Sequence, residues 1–350
     1  MAATYKAIGW NRHKVIYDLI ALTGVGLYIG GFVVLTPMLN PEAANTSPEI
    51  LVISALGACA FFLLHVVLAI GPLARLSPAF LPLLYNRRHL GVLLFIVALG
   101  HGAFALVWYH AFSVTNPLVS IFLDTGDYQG IAGFPFEVLG LAALAILYVM
   151  AATSHDFWLN NLSPRLWKAL HMLVYVAYAL LVGHVLLGAA RESGDPGVYA
   201  WVTLGGFAFI AGLHLTAGLL SWSQDAATDR LVRDGWLELG PALSIPDNRA
   251  RIISPPAGEK IAVFRYDGKV AAVSNVCRHQ MGPLGEGKVV DGCITCPWHG
   301  WQYKPDTGKS PPPYLETVQT YPVKIVNGSV FVRPVPCPVE MPSTPAVIGA

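Results

Sequence analysis

Six uninterrupted apolar runs, each about 20 residues long, constrain this chain more than any other feature: 15–36, 50–70, 90–112, 134–153, 166–189 and 198–220. At 1.5 Å of rise per residue, about 20 helical residues cross the roughly 30 Å hydrocarbon core of a bilayer. Backbone N–H and C=O groups cannot be left bare in lipid, so helices are the expected spanning form. Composition agrees, with 54% hydrophobic residues and 12% charged, about half the charge usual in a soluble domain. A net charge of +1 gives no reason to expect nucleic acid as a partner. The first run is too long for a secretory signal peptide and lacks its small-residue cleavage site. A six-helix transmembrane bundle over 15–220 is therefore expected, with membrane lipid as its surroundings.

The loops orient the bundle. Lys6, Arg12 and Lys14 precede the first run, Arg75, Arg87 and Arg88 separate the second from the third, and Arg165 and Lys168 enter the fifth. The alternate loops carry Glu42 and Glu49, then Asp124 and Asp127, then the mixed set Arg191, Glu192 and Asp195. Basic residues collect on the cytoplasmic side of short loops. Residues 1–14 are thus expected in the cytoplasm, together with everything after Leu220.

After Leu220 the character changes. Residues 221–235 are polar and read as a linker. From Trp236 the chain offers WLELG, ARIIS, KIAVFRY, KVAAVSN, VKIVN and SVFVRP, broken by turns such as YDGK and VNGS. Short β-rich runs between turn residues predict a small antiparallel all-β domain over 236–334. The Pro-rich end, 335–350, is expected to be disordered.

The stretch CRHQMGPLGEGKVVDGCITCPWHGWQY sits inside that β domain. Cys277 and His279 form C-x-H, and after sixteen intervening residues Cys296 and His299 form C-x-x-H. Two loops, each with one thiolate and one imidazole, suit a 2Fe-2S cluster with two Cys on one iron and two His on the other. A zinc site uses the same residue types, but usually with paired Cys in one loop and paired His in the other. Cys293 and Cys296 also make C-x-x-C, a dithiol pattern, without the βαβ context that would support it.

Histidines recur in the apolar runs, where ionisable side chains are rare and usually functional. His65 lies in the second run, His101 in the third, His171 and His184 in the fifth and His214 in the sixth, while His89 opens the third beside Arg87 and Arg88. His171 and His184 would lie about 20 Å apart along one helix, and His89 and His101 about 18 Å apart along another. Two b haems, one near each membrane face, are expected between these helices. The ligands are His101 and His184 for one, and His171 with His89 for the other. His65 and His214 remain alternatives. On straight helices the two ligands of each helix fall on faces about 120–140° apart, an awkward geometry for stacked haems.

NVCRHQMGPLGEG, CPWHGWQY, the TGKSPPP loop and the final strand GSVFV resemble the Rieske family over 236–334. The resemblance implies an iron–sulfur ferredoxin-like fold with the cluster at the tip of two loops, shielded by a third loop around Ser310–Pro313. Gly282 and Trp298 stand where the respiratory branch has a disulfide, consistent with a reducing compartment. Trp301 stands where that branch has a Ser bonded to a cluster sulfur, while Tyr303 is kept. Fewer hydrogen bonds to sulfur imply a potential near the low end of the Rieske range, about −150 mV.

LLYNRRHLGVLLFIVALGH and RLWKALHMLVYVAYALLVGH resemble the ferric reductase-like transmembrane domain. That resemblance implies two b haems carrying electrons across the bilayer, with Arg75, Arg87, Arg88, Arg165 and Lys168 available to haem propionates. The His89–His101 interval departs slightly from the family's. Oxidase and ferric reductase members continue into a flavin and nicotinamide domain. No dinucleotide fingerprint follows a strand here, and the Rieske-like domain occupies that place. The chain thus reads as an oxidoreductase or electron-transfer subunit. A soluble cytoplasmic donor (a reductase or ferredoxin) reduces the cluster, and the haems pass electrons to an acceptor outside: ferric ion, oxygen or a redox protein. Two alternatives stand beside it: a quinol-linked carrier feeding a cytoplasmic oxygenase, and a redox sensor without turnover.

Overall fold

A computed structural model describes residues 12–112, 114–122, 135–193, 197–228, 232–255, 258–338 and 341–349. Lys6, Asp124, Asp127 and Asp195, used above for orientation, lie outside these. Among the described residues, six helical segments are long and apolar enough to cross a membrane. They are α1 (Arg12–Leu39), α2 (Pro48–Leu76), α3 (Arg87–His110), α4 (Phe136–Thr153), a fifth span built from α5 (Pro164–Met172) and α6 (Val174–Ser193), and α7 (Gly197–Thr228).

Local sequence explains several ends. The Ser47 hydroxyl accepts a hydrogen bond from the Ile50 N–H, the Ser163 hydroxyl does the same for Leu166, and each Ser is followed by Pro at the first helical position. That pairing satisfies an orphan donor and uses a residue that has none. α2 packs on α1, α3 and α7, while α4 packs on α3 and α6. Leu64, Ala143 and Ala177 are fully buried between them. Leu19, Ile20, Leu27 and Leu35 of α1 point outward, an apolar face of the kind lipid covers.

The fifth span departs from the single helix expected over 166–189. Leu173 donates to the Leu170 carbonyl at 3.2 Å, a tight three-residue turn that ends α5, and Ala177 then bonds back to Leu173. The break separates His171 on α5 from His184 on α6. Their faces therefore need not obey one helix's 100° per residue in the fifth span, whereas α3, which carries His89 and His101, is continuous. α7 in turn runs on to Thr228, through much of the stretch read as a linker.

The C-terminal domain is antiparallel throughout. β1 (Val232–Arg233), β2 (Trp236–Pro241), β11 (Ser329–Val332) and β10 (Val323–Val326) form one sheet in the order β1-β2-β11-β10. β3 (Arg249–Ile253), β4 (Ile261–Tyr266) and β5 (Lys269–Ser274) form a second, extended by β9 (Thr320–Tyr321) and β12 (Ala346–Val347). β6 (Lys288–Val290), β7 (Cys293–Thr295) and β8 (Gln302–Tyr303) make a small third sheet. β4 and β5 are buried on both faces, so they read as continuous apolar runs. The end of the chain is not the disordered tail expected. β12 pairs with β5, the Cys337 N–H reaches the Thr320 carbonyl, and the Ser343 hydroxyl bonds the Tyr321 carbonyl. Extended Pro-rich backbone fits a sheet edge well, and it covers part of an edge that would otherwise be open.

Candidate metal centres

The two loops that carry Cys277 and Cys296 are built alike. The Cys277 N–H donates to the Gly282 carbonyl, and the Met281 N–H donates back to the Cys277 carbonyl. In the second loop the Cys296 N–H reaches the Trp301 carbonyl, and the Gly300 N–H returns to Cys296. Both loops turn at the fourth residue after the cysteine with φ positive, +59° at Met281 and +73° at Gly300. One local fold, used twice, thus presents Cys and His from each loop toward the other.

The side chains meet at the tip. Cys277 and Cys296 lie within sulfur hydrogen-bond reach of each other and are 1% exposed. The His279 and His299 rings face each other at 5.2 Å, nearly perpendicular. Burial, and then the neighbouring His279, pushes His299 well below the usual imidazole range, toward the neutral form a metal ligand needs. A Cβ on Gly282 would come within 3.0 Å of both Cys296 Sγ and the Trp298 ring. Trp298 and Gly282, the positions expected for a disulfide, instead pack one against the other. This donor set and this spacing, thiolates together and imidazoles together, suit a cluster that shares four ligands between two irons.

Two further residues shape the pocket. The Tyr303 hydroxyl lies 3.3 Å from Cys277 Sγ and accepts the Arg278 N–H at 3.1 Å. Burial, then the Cys277 thiol, raises the Tyr303 phenol far above its ordinary range, so it stays a donor. Trp301 stacks on His279 with ring centres 4.1 Å apart and planes 4° from parallel. Its indole N–H goes to Ser310 at 3.0 Å, tying the Pro-rich loop down over the site. Tyr303→Phe should lower the midpoint potential of a bound cluster by tens of millivolts, since one hydrogen bond to charged sulfur is lost. A redox titration followed by EPR checks this; an unchanged potential would remove Tyr303 from the tuning.

Inside the bundle, His101 and His184 are presented by matching devices. His101 Nδ1 lies 2.9 Å from the Ile53 carbonyl, and His184 Nδ1 lies 2.9 Å from the Phe136 carbonyl. A carbonyl only accepts, so each Nδ1 is the donor and each Nε2 keeps its lone pair. Four residues on from each carbonyl stands a glycine. A Cβ on Gly57 would meet the His101 ring at 2.9 Å, and one on Gly140 the His184 ring at 2.8 Å. The two ring centres are 6.4 Å apart, at 81°. A metal about 2 Å from one nitrogen of each ring would set the centres roughly 6 Å apart, so the pair fits bis-imidazole ligation of a haem iron.

The other histidines separate. His171 donates through Nδ1 to the Trp167 carbonyl at 3.0 Å, and its Nε2 lies 3.2 Å from the Ser154 hydroxyl. It opens on a cavity of about 990 Å³ between the bundle and the β domain, lined also by His214, Arg75, Arg87, Arg88 and Lys168. His89, expected to face His171, does not line this cavity. Its Nδ1 is 2.9 Å from the Asp18 carboxylate of α1. His65 donates to the Phe61 carbonyl and accepts from the Tyr178 hydroxyl at 3.0 Å, the same pattern as His171. His214 Nε2 donates to the Leu68 carbonyl at 3.1 Å.

What spacing could not reveal is how the β domain sits on the bundle. Arg75 pairs with Glu286 at 3.3 Å, the Arg87 guanidinium lies over Trp298 at 5.9 Å, and the Lys288 ammonium over Tyr85 at 5.5 Å. Trp167 of α5 packs against both Trp298 and His299. Half of Arg75 is exposed, so that ion pair contributes on the order of 1 kcal/mol or less. The aromatic contacts carry more of the docking.

Comparison with known proteins agrees with this architecture. The family described as Rieske [2Fe-2S] domain matches residues 235–322, and the one described as ferric reductase like transmembrane component matches 54–182. The anthranilate 1,2-dioxygenase ferredoxin subunit of Burkholderia cepacia is 42% identical over 79 residues, 22% of this chain and 73% of that protein. The magnetosome protein MamZ of Paramagnetospirillum magneticum is 34% identical over 148 residues, 41% of this chain but 21% of that protein. The heme-binding subunit MsrQ of a protein-methionine-sulfoxide reductase from Brucella ovis is 32% identical over 145 residues, 41% of this chain and 60% of that protein. The chain thus spans about a fifth of the magnetosome protein and under two thirds of the reductase subunit. Fold and comparison together define a multi-pass membrane protein with a Rieske domain behind a ferric reductase-like transmembrane domain. The chain belongs to the Rieske [2Fe-2S] family through its C-terminal domain, behind a ferric reductase-like transmembrane domain.

Proposed function

We propose that this chain relays single electrons from a soluble cytoplasmic donor, through its Rieske domain and two b haems, to an acceptor on the opposite side of the membrane. Cys277, Cys296, His279 and His299 would hold the 2Fe-2S cluster. His101 and His184 would hold the outer haem, and His171 would supply a ligand to the inner one. When bound, these groups supply one-electron redox chemistry, and the protein supplies position, shielding and electrostatics. Arg75, Arg87, Arg88 and Lys168, which line the cavity beside His171, suit the carboxylates of a haem. Those residues gather at the end of the bundle against which the β domain packs, and clusters of this kind favour the cytoplasmic side.

The observation that carries this reading is the packing of His299 against Trp167 of the bundle, which places it one aromatic ring away from His171. A Rieske domain that served only soluble partners would present that imidazole to solvent. Here the imidazole packs edge-on against Trp167 of the bundle, and Arg87 lies over the adjacent Trp298. Stopped-flow absorbance on the protein in nanodiscs, after mixing with a reduced low-potential ferredoxin, tests the order of events. The cluster signal should bleach first and the b-haem signal should follow. Haem reduction that is equally fast in protein depleted of its cluster would overturn the relay.

A further inference from the structure

Trp167 occupies a place that the reading above leaves without a role. It is 7% exposed and lies on α5 four residues before His171. Its indole N–H donates to the Thr153 carbonyl at the end of α4, at 3.1 Å, which fixes the plane of the ring. One face stacks on His171, with centres 3.8 Å apart and planes 25° from parallel. Toward the β domain the same ring meets His299 edge-on at 5.5 Å and Trp298 at 5.9 Å. A side chain held by one helix thus touches a residue expected on the cluster and a residue expected on the inner haem.

We infer that Trp167 is a positioning residue for electron transfer. It seats the His299 loop on the bundle and fills the gap between the two imidazoles with a continuous aromatic contact. The inference rests on the relay reading. In the step concerned, one electron leaves the reduced cluster, which becomes oxidised, and a ferric haem iron becomes ferrous. No bond forms or breaks, no proton moves, and Trp167 is not itself oxidised. Ordinary core packing would explain the burial of a tryptophan and its hydrogen bond to Thr153. The contact with His171 follows from their i, i+4 spacing on α5, but packing within the bundle gives no reason for the same ring to lie against His299 of the β domain.

The test uses the full-length protein in nanodiscs, with Trp167→Phe and Trp167→Leu beside wild type. Haem is counted by pyridine haemochrome and the cluster by EPR. The cluster is then reduced by a flash of photoexcited deazaflavin and haem reduction is followed. Both variants should keep their cofactors and cluster potential. Transfer should slow about tenfold or more in Trp167→Leu and stay within about threefold in Trp167→Phe, because the aromatic contact is what positions the two groups. A Leu variant with both cofactors and the wild-type rate would overturn the inference while leaving the relay standing. If Leu loses haem, Trp167→Met, a flexible non-aromatic filler, takes its place. Haem loss in both would assign Trp167 to packing around His171 and overturn its role in transfer. If wild-type haem never follows the cluster, the relay fails and the inference with it.

Discussion

Replacing His184 with alanine should remove about half of the b-haem absorbance and leave the cluster EPR signal unchanged, because a six-coordinate haem loses one of its two axial imidazoles. His101 and His184 are held by carbonyl hydrogen bonds from facing helices, with their rings 6.4 Å apart. Truncating one leaves the other presenting a lone pair to an empty space within the bilayer. His101→Ala should give the same half loss, and the double variant no further loss, since both changes empty one site. His89→Ala should retain the haem, since that residue does not line the cavity on which His171 opens. Haem counts on purified protein decide this: a normal count in His184→Ala, or a loss confined to His89→Ala, would reverse the assignment.

The second large effect concerns Cys296. Cys296→Ser should abolish the cluster signal and reduce haem reduction by a protein donor by about 10²-fold or more, since the step then lacks its positioned carrier. Dithionite should still reduce the haems, because the bundle's core does not include the cluster loops. The cysteine lies 1% exposed in the core of the β domain, so some loss of domain stability is also expected. Circular dichroism of the purified variant separates that loss from the electron-transfer defect. Rapid haem reduction by the protein donor without a cluster would mean that electrons enter the bundle elsewhere.

How much of this could be read from residues alone varies with the range of the interaction concerned. The cluster ligands are legible because Cys277, His279, Cys296 and His299 lie in two short loops, where local spacing and turn residues set geometry. The positive φ four residues after each cysteine is signalled by glycine only in the second loop, at Gly300; in the first it falls on Met281, which its residue type does not announce. The meeting of His101 with His184 was legible for another reason: histidine is costly in a bilayer, so its presence already carries information. The inner site was not. His89 and His171 looked paired by depth, but His89 meets Asp18, 71 residues away in sequence, and does not line the cavity on which His171 opens. Composition misjudged the end of the chain too. A Pro-rich segment such as 341–349 looks disordered when nothing is known of the open edge of β5 that it can cover.

By itself, the sequence determined the six spans, the change to an all-β domain and the residue types able to hold iron. These follow from hydrophobic length, strand-turn patterning and ligand spacing, all local in the chain. Tertiary structure alone decided which histidines meet, where the fifth span breaks, and which face of the β domain packs on the helical bundle. Those outcomes depend on contacts between residues far apart in the chain: Gly57 against His101, Gly140 against His184, Trp167 against His299. Such contacts leave no periodic trace, because each is the meeting of two surfaces whose shapes are set independently.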